Sequence, residues 1–507
     1  MTGLARLATT GLRNRRTIPW PAVPRLPVEE FRRTVIEAAA EDWRLVSLFG
    51  MPDGDRETRL VAVLADDRQG ELGALSAAVP DRYPALTPEC PAAHVFEREI
   101  AEQCGVVPDG HPWLKPLRRH PPDHLPPGRP APPHDREAYP FFRIAGDELH
   151  EVAVGPVHAG VIEPGHFRFH AHGENVVHLE IMLGYQHRGV ERLLETEDAG
   201  RAILVAESIA GDTVIAHAEA WCGALEALGR VHKSPRAQAV RGCALELERL
   251  ANHIGDLGAI SGDIAYAPAA AVFGRLRGEC LNLLMTVSGN RYGRGLVRPG
   301  GAAFDVPAEM ALEMRGRLIG LKAEFDRAAD DFFENDSVQG RLEGTGVVSA
   351  AACRDLGFVG PAARACGVAR DVRSDHPWGI FRFAHIPTAT AQAGDVAARA
   401  VVRRLEVVRS LEFLIEQLPA LPRGPARAAP PAGLAPDELA VALVEGWRGE
   451  IAHIVITDAA RGIRRWKVKD PSFHNWSALA AAMPGNAISD FPLCNKSFNL
   501  SYAGHDL

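Results

Sequence analysis

The sequence predicts an α+β protein in which a small N-terminal α/β domain is joined by a proline-rich linker to a large, mainly helical domain with small antiparallel sheets. Three observations support this fold class. Residues 28–119 alternate between helical and strand patterns, residues 120–140 hold eight prolines in 21 positions, and apolar residues recur every three to four positions through most of 186–420. The remaining divisions are a flexible N-terminal tail (1–27) and a second domain (141–507).

The composition of the 507-residue chain excludes several classes of protein. Apolar residues make up 46% and charged residues 24%, which is typical of a globular fold. The net charge of −8 argues against non-specific nucleic-acid binding, so no nucleic-acid partner is expected. The eight cysteines include no C-x-x-C pair, and we therefore expect no zinc ribbon or iron–sulfur site built on local ligand pairs.

In the first domain, VEEFRRTVIEAAAEDW has apolar residues at helical spacing. The runs WRLVSLFGMP and TRLVAVLADD are typical of adjacent strands, with a turn at Pro52-Asp53-Gly54 between them. The basic segment at the start of the chain has no such pattern, and we expect it to be mobile.

In the second domain, residues 149–182 alternate and contain turn signals at Gly155-Pro156, Pro164-Gly165 and Gly173-Glu174. They predict a small antiparallel sheet that leads into a helix. The apolar segment 202–228 is interrupted by acidic residues and histidine, which favours a buried helix pair over a membrane span. Strand patterns return near the C-terminus, at IAHIVITD and WKVKD.

Several motifs together resemble a known family. They are GPVHAGVIEPGHFRF, LGYQHRGVERLLE, ESIAGDTVIAHAEA, ERLANHIGDLGAISGD, SGNRYGR, RPGG and VKDPSFHNWSAL. The region from about residue 150 onward resembles the large subunit of membrane-bound [NiFe] hydrogenases, particularly the formate hydrogenlyase and hydrogenase-4 branch. The same superfamily includes the quinone-chamber subunit of complex I. The segment 28–119 is similar to the small complex-I subunit that is often fused ahead of this domain.

The chain departs from the nickel-containing members at their metal ligands. Those members carry a C-x-x-C pair in each of two segments, and the corresponding positions here are Ala210 and Thr213, and Ser501 and Gly504. Nickel and its iron partner require thiolates, whereas alanine and glycine offer no donor and hydroxyls stay protonated at neutral pH. The resemblance therefore implies a degenerate, nickel-free site, with no metal held by this chain.

The resemblance also implies which residues surround that site. His158 lies in a segment that corresponds to a loop facing the quinone in complex I. Complex I has two histidines in that loop, whereas the present chain keeps the hydrogenase-like sequence. Glu163 and His166 match an acid-Gly-His pattern found near a hydrogenase proton path, so His158, Glu163 and His166 are the candidate catalytic residues. Asp212, Thr213 and His217 are expected to line the cavity. Purely structural roles remain open for five of the six: His158, His166, Asp212, Thr213 and His217. For Asp212 and Thr213 such a role could be a helix cap at Gly211-Asp212-Thr213.

Three functional hypotheses follow from the resemblance. The first is a subunit of a membrane-associated respiratory-type oxidoreductase complex, which takes electrons from a [4Fe–4S] cluster in a partner iron–sulfur small subunit and passes them to an acceptor such as quinone, with coupling to ion translocation. The second is a catalytically inert structural or coupling subunit. The third, an active nickel hydrogenase, is disfavoured by the missing cysteines. The first two imply membrane-arm partners and a cytoplasmic position, peripheral on the inner face of the cell membrane.

Overall fold

The computed structural model describes residues 11–54, 57–118, 120, 125, 139–146, 148–158 and 162–507. Most of the predicted linker (120–140) and the first ten residues of the predicted tail lie outside this description. The α+β fold class is confirmed. The domain boundaries themselves stay predictions.

The N-terminal region is a four-stranded sheet with two helices. The strand order is β2-β5-β4-β3, with β3, β4 and β5 antiparallel and β2 parallel to β5. A short parallel pair, β6 and β7, lies beside it. The elements are β2 (Arg25–Leu26), α1 (Val28–Ala40), β3 (Arg44–Asp53), β4 (Glu57–Asp66), β5 (Glu71–Val79), β6 (Arg82–Pro84), α2 (His94–Cys104) and β7 (Val107–Asp109).

Both faces of strand β4 are buried, although an antiparallel sheet often leaves one face in water. Leu60, Ala62 and Leu64 pack into a local core with α1 and α2. Val61 and Val63 point the other way, into the main core that the C-terminal region also builds. The N-terminal region is therefore packed onto the rest of the chain through its sheet.

The prediction of a flexible tail over 1–27 is wrong for residues 11–27. Strand β1 (Thr17–Pro19) pairs antiparallel with a strand near the C-terminus, and Leu12 bridges to Leu72. Arg15 forms an ion pair of 2.6 Å with Glu219. These partners are hundreds of residues away or on another sheet, so local sequence periodicity carries no sign of them.

The predicted sheet over 149–182 is present as a three-stranded antiparallel sheet in the order β10-β9-β8. The predicted helix pair over 202–228 is also present. In the described helices, none is long and apolar enough to cross a bilayer. The elements here are β8 (Leu149–Val154), β9 (His166–His172), β10 (Asn175–Met182), α3 (Val190–Thr196), α4 (Ala199–Ala206) and α5 (Val214–Leu228).

Long helices form the centre of the C-terminal region, because their apolar residues recur at helical spacing and pack into one continuous core. The long helices are α6 (Pro235–Asp263), α7 (Ala267–Ser288), α8 (Ala308–Phe333) and α13 (Val396–Gln417). Short elements connect them: β11 (Val297–Arg298), β12 (Gly301–Ala302), α9 (Asp336–Leu342), α10 (Ala350–Asp355), α11 (Gly360–Arg364) and α12 (Val372–Asp375).

A buried four-stranded sheet, in the order β1-β13-β14-β15, packs against these helices. Strands β13 and β14 meet in a tight hairpin in which Gly446 pairs with Gly449, so Trp447 and Arg448 form its tip. The remaining elements are β13 (Glu438–Gly446), β14 (Gly449–Thr457), β15 (Ile463–Lys469), α14 (Ser472–Ala482), α15 (Phe491–Phe498) and α16 (Tyr502–Asp506).

Candidate functional site

The two segments that are predicted to be degenerate ligand segments both lie next to the hairpin tip. Ala210 and Thr213 belong to the turn before α5, whereas Ser501 and Gly504 belong to the start of α16. Arg448 joins the two segments, because its guanidinium contacts Asp212 and Thr213 on one side and the Asn499 carbonyl on the other. The predicted positions are thus brought to one place, by a residue that sequence reasoning missed.

The Arg448 contacts are a bidentate ion pair and its supporting hydrogen bonds. Nη1 and Nη2 lie 2.5 and 2.8 Å from the two carboxylate oxygens of Asp212. Burial acts to raise the pKa of Asp212, but the Arg448 charge and the hydrogen bonds from Arg448 and Thr213 together outweigh burial and hold that pKa below its usual value. Thr213 Oγ1 accepts from Arg448 at 3.0 Å and from Trp447 Nε1 at 3.1 Å. The hydroxyl of Thr213 is therefore fully engaged.

The second pair of predicted ligand positions, Ser501 and Gly504, is also occupied by contacts within the protein. Ser501 is the N-cap of α16, and its hydroxyl accepts from the Gly504 amide at 2.9 Å. A Cβ atom placed on Gly504 would lie 2.6 Å from Cγ of Asp470, so the Asp470 carboxylate occupies the space that a side chain at 504 would need.

His217 holds Asp470 in that position. Its Nε2 lies 3.0 Å from Asp470 Oδ2, and its Nδ1 lies 3.4 Å from Nε2 of His453. His453 Nδ1 in turn accepts from Trp466 Nε1 at 3.1 Å. Both nitrogens of the fully buried His217 ring are occupied, so this residue positions Asp470 and offers no free nitrogen to a ligand.

A nickel–iron centre does not fit these residues. At the four ligand positions the only heteroatom donors are the hydroxyls of Thr213 and Ser501, and both are used in hydrogen bonds. The side-chain space at Gly504 is filled by Asp470. Within the described residues, no group of three or more His, Cys, Asp or Glu side chains has the arrangement of a metal site.

Because Asp470 fills the space next to Gly504, we expect the substitution Gly504→Ala to destabilise the protein. An alanine in a helix normally stabilises relative to glycine by about 0.5–1 kcal/mol. Here the added methyl group must displace Asp470, and overpacking of this kind costs about 1–3 kcal/mol. Urea unfolding should show a less stable protein. The matched control is Gly316→Ala on α8, where an added Cβ meets nothing within 4 Å and a small gain is expected. Equal stability gains for both variants would contradict the assignment of Asp470 to this space.

His158 approaches the site from the loop after β8. Its ring centroid lies 5.6 Å from Phe167 and 6.3 Å from Tyr502, and burial lowers its pKa. Nε2 of His158 is buried and has no hydrogen-bond partner in the described structure. A buried, unsatisfied imidazole nitrogen is costly, so it marks a place where a polar ligand atom would be stabilised.

Glu163 lies between this loop and the hairpin tip. Burial raises its pKa; the nearby Arg448 opposes that rise and Asp212 adds to it. The Tyr502 backbone amide and the Gln186 side chain also stabilise its charged form. A carboxyl whose pKa is raised toward neutrality can take up and release protons, which is the chemistry expected of Glu163 from the sequence.

His166 is placed elsewhere. It begins β9, its Nδ1 lies 3.3 Å from the Gly155 carbonyl, and its ring packs 5.0 Å from that of Phe141. The structure thus places His158 and Glu163 near Tyr502. His166 instead contacts the Gly155 carbonyl, at the start of the loop that carries His158.

Residues of α6 support the turn that bears Asp212. Glu248 accepts from the amides of Ile215 and Ala216 at the start of α5, and burial raises its pKa to about 8. Asn252 donates to the Asp212 carbonyl at 3.0 Å. Arg249 of the same helix pairs with Glu246 one turn away at 3.2 Å and also with Glu406 on α13 at 3.1 Å. Helical spacing can indicate the first of these contacts but not the second.

The one local signal for Arg448 is its position in Gly446-Trp447-Arg448-Gly449, between two strand-like runs. That pattern is typical of a tight hairpin. The pattern indicates that Trp447 and Arg448 lie at the tip of a hairpin. It does not indicate which residues that tip contacts.

Comparison with known proteins agrees with the resemblance seen in the sequence. The family model of the respiratory-chain NADH dehydrogenase 49 kDa subunit matches residues 263–438 and 431–506, and that of the 30 kDa subunit matches residues 31–142. Formate hydrogenlyase subunit 5 of Escherichia coli (strain K12) is 31% identical over 439 residues, covering 84% of this chain and 77% of the relative.

Two further relatives extend the comparison. Hydrogenase-4 component G of the same organism is 29% identical over 443 residues, covering 84% of this chain and 76% of the relative. An NADH-quinone oxidoreductase subunit of Clostridium beijerinckii is 27% identical over 337 residues, covering 66% of this chain and 91% of the relative. The chain therefore belongs to the family of oxidoreductase-complex subunits that includes formate hydrogenlyase subunit 5 and the 49 kDa subunit of respiratory-chain NADH dehydrogenase, here with a 30 kDa-type region on the same chain.

Proposed function

We propose that this chain is the nickel-free electron-accepting subunit of a membrane-associated, respiratory-type oxidoreductase complex. Electrons arrive from a [4Fe–4S] cluster in a partner iron–sulfur subunit and pass to an acceptor at the site around His158 and Glu163. A quinone headgroup is the acceptor we favour. Membrane-arm partners place the chain on the inner face of the cell membrane, and protonation at the site is coupled to ion translocation.

One observation carries this proposal. The positions that would hold nickel are filled by other contacts, while His158 Nε2 beside them is buried without a partner. A ligand oxygen can satisfy that nitrogen, and the carbonyl oxygens of a quinone are hydrogen-bond acceptors of the right kind. When bound, a quinone accepts two electrons and two protons and is reduced to a quinol.

The residues of this chain have separate roles in the proposal. Since burial lowers its pKa, His158 is a neutral imidazole that can donate one hydrogen bond. Burial raises the pKa of Glu163, so this carboxyl takes up a proton more readily than an exposed glutamate and can pass it toward the site. Arg448 and Asp212 hold both segments in place and keep a fixed charge pair beside Glu163.

Photolabelling of the purified complex with a quinone analogue tests the proposal. We expect labelled peptides that contain His158 or Tyr502, and at least a tenfold loss of labelling in His158→Gln. The matched control is His172→Gln, since His172 is exposed on β9 and pairs with Glu148. Absence of specific labelling with several analogues, or equal labelling of both variants, would count against quinone binding.

The second candidate is an inert structural or coupling subunit. It is favoured by the number of side chains that close the degenerate site, namely Arg448, Asp470 and Trp447. Under this alternative, His158→Gln leaves electron transfer by the assembled complex unchanged, whereas Arg448→Ala impairs assembly. An active nickel centre would require stoichiometric nickel on this chain, and metal analysis of the complex is expected to find none.

A further inference from the structure

A cavity of about 280 Å³ lies where helix α2 of the N-terminal region meets helix α14 and strand β10. Its walls are mostly apolar and include the rings of Trp113, Phe473 and Trp476. His158 and Tyr502 are not among the described residues that line it, so this cavity is separate from the proposed quinone site. A cavity of roughly 150 Å³ can hold benzene, and this one therefore has room for an aromatic ring with a polar substituent.

Arg98 on α2 brings a positive charge to the wall of this cavity. The residue is only 8% exposed. Its guanidinium donates to the carbonyl oxygens of Lys115 and Pro116, at 2.8 and 2.7 Å, and the Tyr139 hydroxyl is a further neutral neighbour. A buried cation that contacts only neutral groups is costly, so a ligand carboxylate beside Arg98 would be stabilised.

The carboxylates around Arg98 are bound to other groups. Glu180, which also lines the cavity, forms an ion pair of 2.6 Å with Lys115 and accepts from the Phe142 amide at 2.7 Å. In the described part of the chain, no carboxylate forms an ion pair with Arg98, so Arg98 and Lys115 are matched by the single carboxylate of Glu180. The other nearby carboxylates have partners of their own: Glu97 accepts from the Leu86 and Thr87 amides, Glu99 pairs with Arg118 and Lys467, Glu102 accepts from the Arg118 amide, and Asp506 accepts from the Gly184 and Gln186 amides.

Two histidines add hydrogen-bonding positions to the wall. Nε2 of His178 is buried and has no hydrogen-bond partner in the described structure. Nε2 of His94 lies 3.2 Å from the Ser477 hydroxyl. Burial lowers the pKa of both rings, that of His94 to about 3, so both are neutral at neutral pH. Arg98 is therefore the source of the uncompensated positive charge, and His178 offers a hydrogen bond to a polar atom.

We propose that this cavity binds a small aromatic monocarboxylate. The ligand carboxylate pairs with Arg98, because the N–H groups of a guanidinium match the two oxygens of a carboxylate. The ring packs among the aromatic side chains of the wall, which favour such contacts over those with water. A neutral ligand of the same shape leaves Arg98 without a counter-ion and binds more weakly.

Isothermal titration calorimetry of the purified full chain with benzoate tests the proposal, and benzamide serves as the neutral analogue of the same shape. We expect benzoate to bind and benzamide to bind more weakly by a factor of about ten or more, the difference that one charge-assisted contact makes. Arg98→Gln should weaken benzoate binding by a similar factor of about ten or more. The matched control is Arg33→Gln, an exposed arginine on α1, which should leave benzoate binding unchanged.

Photolabelling of the wild-type chain with 4-azidobenzoate locates the site, even if Arg98→Gln fails to fold. We expect label on two tryptic peptides, 99–118 with Trp113 and 470–496 with Phe473 and Trp476, and excess benzoate should prevent it. The proposal is overturned if benzoate does not bind the wild type or if benzamide binds equally well. It is also overturned if the label falls instead on peptides 144–168 or 497–507, which carry His158 and Tyr502 of the proposed quinone site.

Discussion

Glu406→Gln is expected to destabilise the protein by about 3–5 kcal/mol, the cost of removing one partner from a buried charge network. Glu406 on α13 lies 2.5 Å from Arg364 Nη2, 3.1 Å from Arg249 Nη1 and 2.9 Å from His253 Nε2, and the four side chains are essentially inaccessible to solvent. The substitution leaves two buried guanidinium groups with one carboxylate fewer. The measurement is the free energy of unfolding in urea at neutral pH.

The same variant predicts a pH dependence with a definite sign. Burial acts to raise the pKa of Glu406, but the charges of Arg364, His253 and Arg249 and the hydrogen bond from His253 together hold that pKa well below its ordinary value of 4.5. A carboxyl with a lowered folded-state pKa stabilises the fold above its unfolded pKa and loses that contribution as the pH falls toward the folded value. The stability difference between wild type and Glu406→Gln should therefore be largest above about pH 5 and shrink in acid.

The control is Glu412→Gln, an exposed glutamate on the same helix. A surface substitution of this kind should change stability by no more than about 0.5 kcal/mol. If Glu406→Gln lowered the free energy of unfolding no more than the control does, the buried charge network would not stabilise the fold as the structure indicates.

Arg448→Ala is expected to cost about 2 kcal/mol, less than a fully buried pair because part of Asp212 remains accessible. The change removes both hydrogen bonds to Asp212 and leaves Thr213 and the Asn499 carbonyl without this donor. It also removes the direct link between the two degenerate segments. We therefore expect faster amide hydrogen exchange at residues 210–214 and 499–504, measured by mass spectrometry.

Arg448→Lys separates charge from geometry. A lysine keeps the positive charge but cannot make the forked contact with a carboxylate, so it should recover only part of the lost stability. Exchange at the two segments should remain faster than in the wild type. Unchanged exchange in Arg448→Ala would show that the segments are held together by other contacts.

Sequence reasoning recovered the features that local pattern encodes. The three-stranded sheet over 149–182, the helix pair over 202–228 and the long helices follow from periodicity and turn signals, because side-chain spacing reports directly on strand or helix. The assignment of Ala210 and Gly504 as positions of missing thiol ligands follows from the family resemblance and stays a prediction. Ordered residues 11–27 were missed, since their partners lie on distant strands.

Some residues of the candidate site were predicted from the sequence, and others were found only in the structure. The sequence identified His158, Glu163 and Asp212 as polar residues in suggestive motifs, but Arg448 and Asp470 came only from the structure. Their roles depend on contacts across hundreds of residues, such as Arg448 with Asp212 and Asp470 with His217.

By itself, the sequence predicted the fold class from local spacing and the family from its motifs. The resemblance to that family also predicts that the four nickel-ligand cysteines are absent. Only the tertiary structure decided which side chains fill the space around the predicted ligand positions. Asp470 occupies the space beside Gly504 because packing brings separate segments together. The physical reason is that a side chain's partners are set by how elements pack in space, which no local pattern in the chain records.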